Sequence, residues 1–211
     1  MIIAIDGPAA SGKGTLARRL AEHFDLAYLD TGSLYRATAL RVLDAGGDPA
    51  DPDTAETAAK SLDATTLDSP RLRQPEVGAA ASLVAAIPGV RAALLAFQRD
   101  FAADPPGDTT GAILDGRDIG SVVLPDADAK IFLTASAEAR AERRHKELQQ
   151  RGTESIRAAV LRELAERDTR DGSREAAPMV QAPDALLLDT TNLDADAAFA
   201  AAVKLVLARL Q

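Results

Sequence analysis

The chain has 211 residues, no cysteine and a formal net charge of −8, and this length suits one domain with insertions. The lack of thiols excludes disulfides, thiolate metal sites and thiol nucleophiles, and the acidic charge argues against a nucleic-acid polymer as a partner. No run is long and apolar enough to cross a membrane and no signal-peptide pattern is present, so we expect a cytoplasmic protein without membrane contacts.

Five short apolar runs predict β-strands, at 2–5, 27–29, 112–114, 130–133 and 186–188. Helical patterns separate these runs, which predicts an α/β fold with a parallel sheet covered by helices on both faces. Several runs end in aspartate, namely Asp6, Asp30, Asp115 and Asp189. The carboxyl ends of parallel strands share one edge of the sheet, and we expect a ligand to bind there.

The sequence also predicts helices. The first predicted helix follows residues 7–15, and the second begins near Thr31 with Ser33 as its N-cap. The remaining helices are predicted over 53–62, 75–86, 88–103, 137–150, 155–170 and 194–210, with a loop over 63–75. Two apolar faces are predicted to point inward: Ile156, Val160, Leu161 and Leu164 on one helix, and Phe199, Val203, Val206, Leu207 and Leu210 on the last.

A glycine-rich turn lies between the first strand and the first helix. It comprises Gly7, Pro8, Ala9, Ala10, Ser11, Gly12, Lys13, Gly14 and Thr15. Strand, turn and helix in this order predict a phosphate-binding loop, in which backbone N–H groups surround phosphate oxygens and Lys13 adds a positive charge. The alternative is an ordinary glycine turn. Because Gly14 replaces the usual serine or threonine after the lysine, the hydroxyl that could approach magnesium moves to Thr15.

Charged side chains after the third strand suggest a second part of the site. Asp115 ends an apolar strand, where a carboxylate can organise Mg²⁺ through water, although a turn or N-cap aspartate is the alternative. Arg117 and Asp118 follow, and they could also form a simple ion pair. Two arginine groups at helical spacing could hold phosphates, or could be solvated faces: Arg140, Arg143 and Arg144, and Arg167, Arg170 and Arg174.

Six motifs in chain order carry a family resemblance. They are the loop 7–15, Asp-Thr-Gly-Ser-Leu-Tyr-Arg at 30–36, Asp-Gly-Arg-Asp at 115–118, Val-Val-Leu-Pro-Asp-Ala at 122–127, Lys-Ile-Phe-Leu at 130–133 and Glu-Arg-Asp-Thr-Arg-Asp at 166–171. Together they resemble bacterial cytidylate kinases, which belong to the nucleoside monophosphate (NMP) kinases. The resemblance covers nearly the whole chain and implies ATP-dependent phosphorylation of CMP, and of dCMP, with Mg²⁺.

The resemblance also implies roles for individual residues. Arg36 and Arg117 would hold the CMP phosphate near Thr31 and Tyr35. The cytosine edge would be read by Ser82, Arg91 and Asp118, and the sugar and phosphate would be reached by Arg167, Asp171 and Arg174. Arg143 and Arg144 would belong to a lid over ATP. Phosphoryl transfer itself would be carried by Lys13, Arg117, Arg144 and Asp115, with Mg²⁺ near Asp115 and Thr15, held through water and the ATP phosphates.

The implied architecture is a three-layer P-loop nucleotide kinase fold with a five-stranded parallel sheet. It would consist of a core (1–31, 112–136 and 171–211), an NMP-binding insertion (32–111) and a lid (137–170). We expect a monomer whose partners are the small molecules ATP and CMP or dCMP. Residues 68–75 are shorter than the strand-rich insert that many bacterial members carry there, which bears on closure and on the choice between ribose and deoxyribose.

Two other functions remain open from the residues. The first is a kinase of another small acceptor on the same scaffold, such as adenylate or shikimate, although Asp118 with Arg91 favours cytosine. The second is a nucleotide-dependent switch without kinase activity. No base-reading motif of the GTPase kind supports the switch, and two separate arginine groups favour two phosphate-bearing ligands.

Overall fold

A computed structural model describes residues 1–210, apart from the side chains of residues 64 and 65. Its sheet contains the strands β1 (Ile2–Asp6), β2 (Ala27–Asp30), β3 (Ala112–Gly116), β4 (Ala129–Thr134) and β5 (Leu186–Asp189). They are all parallel, in the order β2-β3-β1-β4-β5. All five strands lie where the apolar runs predicted them.

Helices lie between most of the strands, because parallel strands need long connections, and the last helix follows β5. They are α1 (Lys13–Phe24), α2 (Thr31–Asp44), α3 (Pro52–Lys60), α4 (Pro75–Val84), α5 (Pro88–Ala103), α6 (Ala137–Gln150), α7 (Arg157–Gly172) and α8 (Ala195–Arg209). Short 3₁₀ segments occupy Ala64–Asp68 and Pro70–Arg73 in the predicted loop, and a π-helical turn, Ile119–Val123, follows β3. The sequence pattern did not predict this π turn.

The two faces of the sheet form two apolar layers because successive strand residues point to opposite sides. Ile3 and Ile5 of β1 pack with α1 and α8, whereas Ala4 packs with α2, α4 and α5 on the other face. A third, smaller cluster joins α6 to α7 and reaches Ala9 and Ala10 of the glycine-rich loop. The loop is therefore in contact with the helices that would form the lid.

Three details of the helix predictions are wrong. Ser33 is not the N-cap of α2: Asp30 holds that position, and the Ser33 hydroxyl donates to the Asp30 carbonyl oxygen at 2.6 Å from inside the first turn. Ile156 is 74% exposed because it precedes α7 instead of lying on its packed face. Leu207 and Leu210 are each 46% exposed, since only Ala202 and Val206 of α8 are fully buried.

Strand order brings the functional loops together. β1 lies between β3 and β4, so the loop after β1 opens where the connections of the sheet diverge to either side. In open α/β sheets this position is the usual ligand crevice. Asp6, Asp30 and Asp115 all lie at that edge, with Asp30 directly opposite Asp115 in the register of β2 and β3.

Candidate active site

The glycine-rich loop is a tight backbone structure between β1 and α1. Gly7 has φ +141°, and a Cβ atom there would overlap the carbonyl oxygen of Leu133 on β4. Gly12 has φ +98° and is the N-cap of α1, so the first N–H groups of this helix point out of the loop. Both positions favour glycine because L side chains rarely adopt such angles. The geometry suits a phosphate group, whose oxygens would accept from those N–H groups.

Lys13 is almost fully buried at the start of α1. Its Nζ donates to the carbonyl oxygen of Pro8 at 2.8 Å, which holds the ammonium group beneath the loop. Burial lowers the pKa of Lys13 to about 7, and the positive charges of Arg117 and Arg167 act in the same direction. Three cations therefore share one field, and an anion bound among them would relieve their mutual repulsion.

Two carboxylates, Asp30 and Asp115, lie opposite each other at the ends of β2 and β3, and Asp115 lies beside Lys13. Burial, followed by the charge of Asp30, raises the pKa of Asp115 to about 7. The Tyr28 hydroxyl donates to Asp115 Oδ1 at 3.3 Å, and the Thr31 hydroxyl donates to the Asp115 carbonyl oxygen at 2.7 Å. Asp115 is thus fixed from both sides, with its carboxylate directed toward the loop.

This donor set fits a magnesium ion that is bound mainly by phosphate and water. Within residues 1–210, no group of three or more His, Cys, Asp or Glu side chains is placed to bind a metal. Mg²⁺ commonly takes one or two carboxylates together with substrate phosphates and waters. Asp115, and the exposed Thr15 hydroxyl that lines the same cavity, are of that type.

Arg117, Arg167 and Asp171 form the positive wall of the cleft. Arg117 Nε donates to Asp171 Oδ2 at 2.9 Å, while Arg167 Nε lies 3.9 Å from the same oxygen and has no hydrogen-bond partner in the described chain. Burial, followed by the charge of Arg117, lowers the pKa of Arg167 to about 9. Arg36 adds to this repulsion. Among the described residues, Asp171 is the one carboxylate within ion-pair distance of Arg117 and Arg167, so the excess of positive charge here favours a further anion.

A second polar cluster closes the far end of the cleft. Asp118 and Arg91 form an ion pair whose side chains are only 6% and 10% exposed. The Arg91 guanidinium lies 5.6 Å from the centroid of the Tyr35 ring. Arg91 and Arg174 both donate to the carbonyl oxygen of Ala85, at 3.3 and 3.4 Å. Cations, one carboxylate and an aromatic ring thus line the same part of the cavity.

The two predicted lid arginines lie in different surroundings. Arg143 on α6 donates to the carbonyl oxygens of Ser11, Thr190 and Leu193 and to the Thr190 hydroxyl, which joins α6 to the glycine-rich loop and to the segment after β5. Arg144 instead pairs with Glu147 at 2.9 Å. Arg143 is therefore hydrogen-bonded mainly to main-chain oxygens, whereas Arg144 can leave the carboxylate of Glu147 for another anion.

Most of the sequence-predicted residues line one cavity of about 1010 Å³. These are Ala9, Ala10, Gly12, Lys13, Gly14, Thr15, Thr31, Tyr35, Arg36, Ser82, Arg91, Asp115, Arg117, Asp118, Arg144, Arg167, Asp171 and Arg174. Ser11 and Arg143 line an adjoining cavity of about 340 Å³, which also includes Gly12, Thr15 and Arg144. Gly7 and Pro8 belong to the loop but line neither cavity.

The structure adds Asp6, which sequence reasoning noted only as a strand end. Its carboxylate accepts from the backbone N–H groups of Ile119 and Gly120, both at 2.7 Å. At the other end of the π turn, Arg99 donates to the carbonyl oxygens of Val122 and Val123. The turn that follows Asp118 is therefore held at both ends. In the sequence, the position of Asp6 directly before the glycine-rich loop is the feature that could have indicated this role.

Asp6 also gives a prediction for stability. Burial raises the pKa of Asp6 to about 6, against the opposing effect of its two backbone hydrogen bonds. At pH values between the ordinary pKa of about 4 and the raised one, the folded state keeps a proton that the unfolded state has released. This contribution to stability is therefore present at low pH and lost as pH rises through about 6. Between about pH 4.5 and pH 7 we expect the wild type to lose about 2 kcal/mol of unfolding free energy relative to Asp6→Asn.

Urea unfolding of both proteins at the two pH values measures this difference. Asp100→Asn, which changes an exposed aspartate on α5, is the matched control and should follow the wild type. If the difference between Asp6→Asn and the wild type is the same at both pH values, Asp6 has no raised pKa.

A model of the cytidylate kinase family matches residues 3–207. The chain belongs to the cytidylate kinase family. Membership confirms the resemblance inferred from the six motifs, and it favours a kinase over a nucleotide-dependent switch. It also identifies the observed sheet and its loop as a P-loop kinase fold, as predicted.

Curated cytidylate kinases match this chain over nearly its whole length. That of Acidiphilium cryptum strain JF-5 is 60% identical over 98% of this chain and 95% of its own. That of Paramagnetospirillum magneticum strain AMB-1 is 59% identical over 97% of each chain. That of Xanthobacter autotrophicus strain Py2 is 58% identical over 99% of this chain and 98% of its own. Similarity therefore extends across residues 32–111 as well as the rest of the chain.

Solved structures of low sequence identity share the fold. An uncharacterized protein from Eubacterium ventriosum ATCC 27560 has a TM-score of 0.56 at 14% identity, covering 98% of both chains. TT1252 from Thermus thermophilus has a TM-score of 0.50 at 20% identity, covering 100% of this chain and 98% of its own. These two likenesses concern the fold alone.

A search for membrane-spanning segments in residues 1–210 finds no single helix with the necessary length and hydropathy. The consecutive helices α4 and α5 reach the threshold only as a pair, which is bent by 100°.

Proposed function

We propose that this protein transfers the γ-phosphoryl group of ATP to CMP, and to dCMP, giving ADP and the corresponding diphosphate. The observation that carries the proposal is the shared field of Lys13, Arg117 and Arg167. The charges of Arg117 and Arg167 both lower the pKa of Lys13, and that of Arg117 lowers the pKa of Arg167, although the three residues come from α1, the end of β3 and α7. A site with a phosphate-binding loop on one side and guanidinium groups on the other suits two phosphate-bearing ligands.

Phosphoryl transfer requires alignment and charge neutralisation more than covalent chemistry. The N–H groups of the loop and Lys13 would hold the outer phosphates of ATP. Arg36, Arg117 and Arg167 would grip the phosphate of CMP and place its oxygen in line with the γ-phosphorus. Lys13 and Arg117 would lie on either side of the transferred group and would stabilise the charge that spreads over its oxygens.

The far cluster would select the base. Cytosine offers a ring nitrogen and a carbonyl oxygen as acceptors, and an amino group as a donor. Asp118 can accept from the amino group, whereas Arg91 can only donate. Ser82, which is 2% exposed and lines the same cavity, completes the set. Asp171 and Arg174 would reach the sugar. This pocket favours CMP over adenylate or shikimate.

Mg²⁺ would be held near Asp115 and Thr15, through water and the phosphates of ATP. When bound, it neutralises phosphate charge and fixes the orientation of the β- and γ-phosphates. The base of ATP would enter the smaller cavity, beside Ser11 and Arg143.

The chain would work as a core (1–31, 112–136 and 171–211), an NMP-binding insertion (32–111) and a lid (137–170). Arg144 would leave Glu147 for an ATP phosphate when the lid closes, which would also exclude water from the donor. The segment Pro70–Arg73 would replace a larger insert: its Leu72 carbonyl oxygen accepts from Arg36 at 3.3 Å. We expect the enzyme to act as a cytoplasmic monomer.

A coupled assay of ADP release, with each nucleoside monophosphate offered in turn, tests the proposal. We expect rapid ADP release with CMP and dCMP, slower release with UMP and little with AMP. Shikimate serves as a non-nucleotide control. Equal ATP consumption with and without CMP would contradict a kinase, and a faster reaction with AMP would contradict the base assignment.

A further inference from the structure

The hydroxyl group of Ser82 has an unusual partner. Ser82 lies on α4, and its Oγ accepts a hydrogen bond of 2.7 Å from Nη1 of Arg170, which lies on α7, 88 residues further along the chain. Arg170 was grouped with Arg167 and Arg174 by spacing, but no role followed from the sequence or from the family resemblance. The contact joins the predicted lid to the predicted insertion at a residue that lines the cleft.

The direction of this hydrogen bond is fixed by chemistry. A guanidinium group carries only N–H donors and has no acceptor, so the Ser82 oxygen must accept. The single hydroxyl hydrogen of Ser82 is then available for another group. In the described part of the chain, no carbonyl or carboxylate oxygen accepts it. With one of its two lone pairs occupied by Arg170 and its hydrogen unused, Ser82 presents a donor to the cleft more readily than an acceptor.

Arg170 also differs from the other arginines of this region in what it contacts. Arg117 pairs with Asp171, and Arg140 on α6 pairs with Asp168. For Arg170, no carboxylate lies within ion-pair distance among residues 1–210, and the Ser82 hydroxyl is its one hydrogen-bond partner there. A cation half-buried against a hydroxyl group, without an acid, polarises that hydroxyl as a donor.

We propose that Arg170 is a positioning residue that makes Ser82 a hydrogen-bond donor and thereby sets the selectivity for cytosine over uracil. The proposal rests on the proposed function, in which Ser82, Arg91 and Asp118 face the base. With Arg170 in place, these three residues offer two donors and one acceptor, which is the complement of cytosine. Uracil carries a hydrogen on its ring nitrogen, so one donor of the pocket would face another donor.

Without Arg170, both lone pairs of Ser82 are free, and its hydroxyl group accepts more readily from the N–H of the uracil ring. The penalty against UMP would then fall, while CMP could still accept from the rotating hydroxyl. Selectivity would also depend on the position of α7, because Arg170 favours donation by Ser82 only while α7 lies against α4. Closure of the lid and selection of the base would therefore be coupled.

The test compares kcat/KM for CMP and UMP in the full-length enzyme. For Arg170→Met we expect the CMP:UMP ratio to fall about tenfold, the scale of one hydrogen bond between polar groups. Arg170→Lys, which also only donates, should keep the ratio within about threefold of the wild type. Arg162→Met changes an exposed arginine on the same helix and is the matched control, with an unchanged ratio.

A double-mutant cycle separates positioning from general damage. Ser82→Ala should itself reduce the ratio, and adding Arg170→Met to Ser82→Ala should not change it further. If Arg170→Met lowers kcat/KM equally for CMP and UMP, or changes the ratio as much in the Ser82→Ala background, the proposal is wrong. Should Arg170→Met fail to fold, Arg170→Gln, whose shorter side chain does not reach Ser82, provides the same comparison.

The failure of the proposed function would look different. A wild-type enzyme that phosphorylates neither CMP nor UMP, or both equally well, would contradict the assignment of the base pocket. A wild-type enzyme that prefers CMP, with an unchanged preference in Arg170→Met, would contradict only the role of Arg170.

Discussion

Lys13→Ala is expected to lower kcat by about two to three orders of magnitude, the scale seen when one preorganised transition-state contact is removed. The side chain is buried beneath the loop, bonded to Pro8, and faces Arg117 and Arg167 across the cleft. No other lysine or arginine begins α1, so its charge has no substitute at this position. The KM for CMP should stay within about threefold, because the groups that would hold the acceptor base lie at the far end of the cleft. Steady-state kinetics with each substrate varied in turn measure both effects.

Lys204→Ala on α8 is the matched control, since it removes an exposed lysine far along the chain and should leave kcat unchanged. A thermal unfolding midpoint for each variant separates loss of catalysis from loss of fold. If Lys13→Ala retains both the wild-type turnover and the wild-type KM for ATP, the glycine-rich loop is not the phosphate site. If kcat is unchanged and only the KM for ATP rises, Lys13 contributes ground-state binding alone.

Asp118→Ala is expected to raise the KM for CMP by about 30- to 100-fold, with little change in the KM for ATP. The substitution removes the one carboxylate that can accept from the cytosine amino group. It also leaves Arg91 largely buried without its acid, and an unpaired buried charged group costs about 2 to 3 kcal/mol. Arg91 would then turn toward Tyr35 or the Ala85 carbonyl oxygen, which it already contacts. Initial rates at saturating ATP, with CMP varied, measure the effect.

Asp126→Ala removes an exposed aspartate in the turn that follows the same segment, and its kinetics should match those of the wild type. Equal rises in both KM values would remove Asp118 from the base pocket. A preference of the Asp118→Ala variant for UMP would support the assignment strongly, because the uracil carbonyl group that replaces the amino group no longer meets a carboxylate.

Local patterns in the sequence were sufficient to predict the strands and the glycine-rich loop. The strands were found because parallel strands buried on both faces are short continuous apolar runs, and Asp30 and Asp115 marked the edge where they end. The glycine-rich loop was found because its angles at Gly7 and Gly12 require the residue type that the sequence shows. These features depend on residues that are neighbours in the chain.

The errors arose where the partner of a residue was not local. Ile156 is apolar, but the chain enters α7 at that point and nothing packs against it. Leu207 and Leu210 share a face of α8 with Val206, yet the sheet reaches only the residues that lie directly over it. Periodicity identifies a face, whereas burial depends on how far the neighbouring layer extends.

The amino-acid sequence by itself determined the parallel sheet, the phosphate-binding loop and the family of the enzyme, because each is encoded in contiguous motifs or in their order. Only the tertiary structure determined which hydrogen bonds position and orient the side chains of the site. The carboxylate of Asp6 meets the N–H groups of residues more than a hundred positions away, and the guanidinium of Arg170 meets a hydroxyl 88 positions earlier. The direction of such hydrogen bonds depends on strand order and on the placement of helices, and no local pattern specifies either.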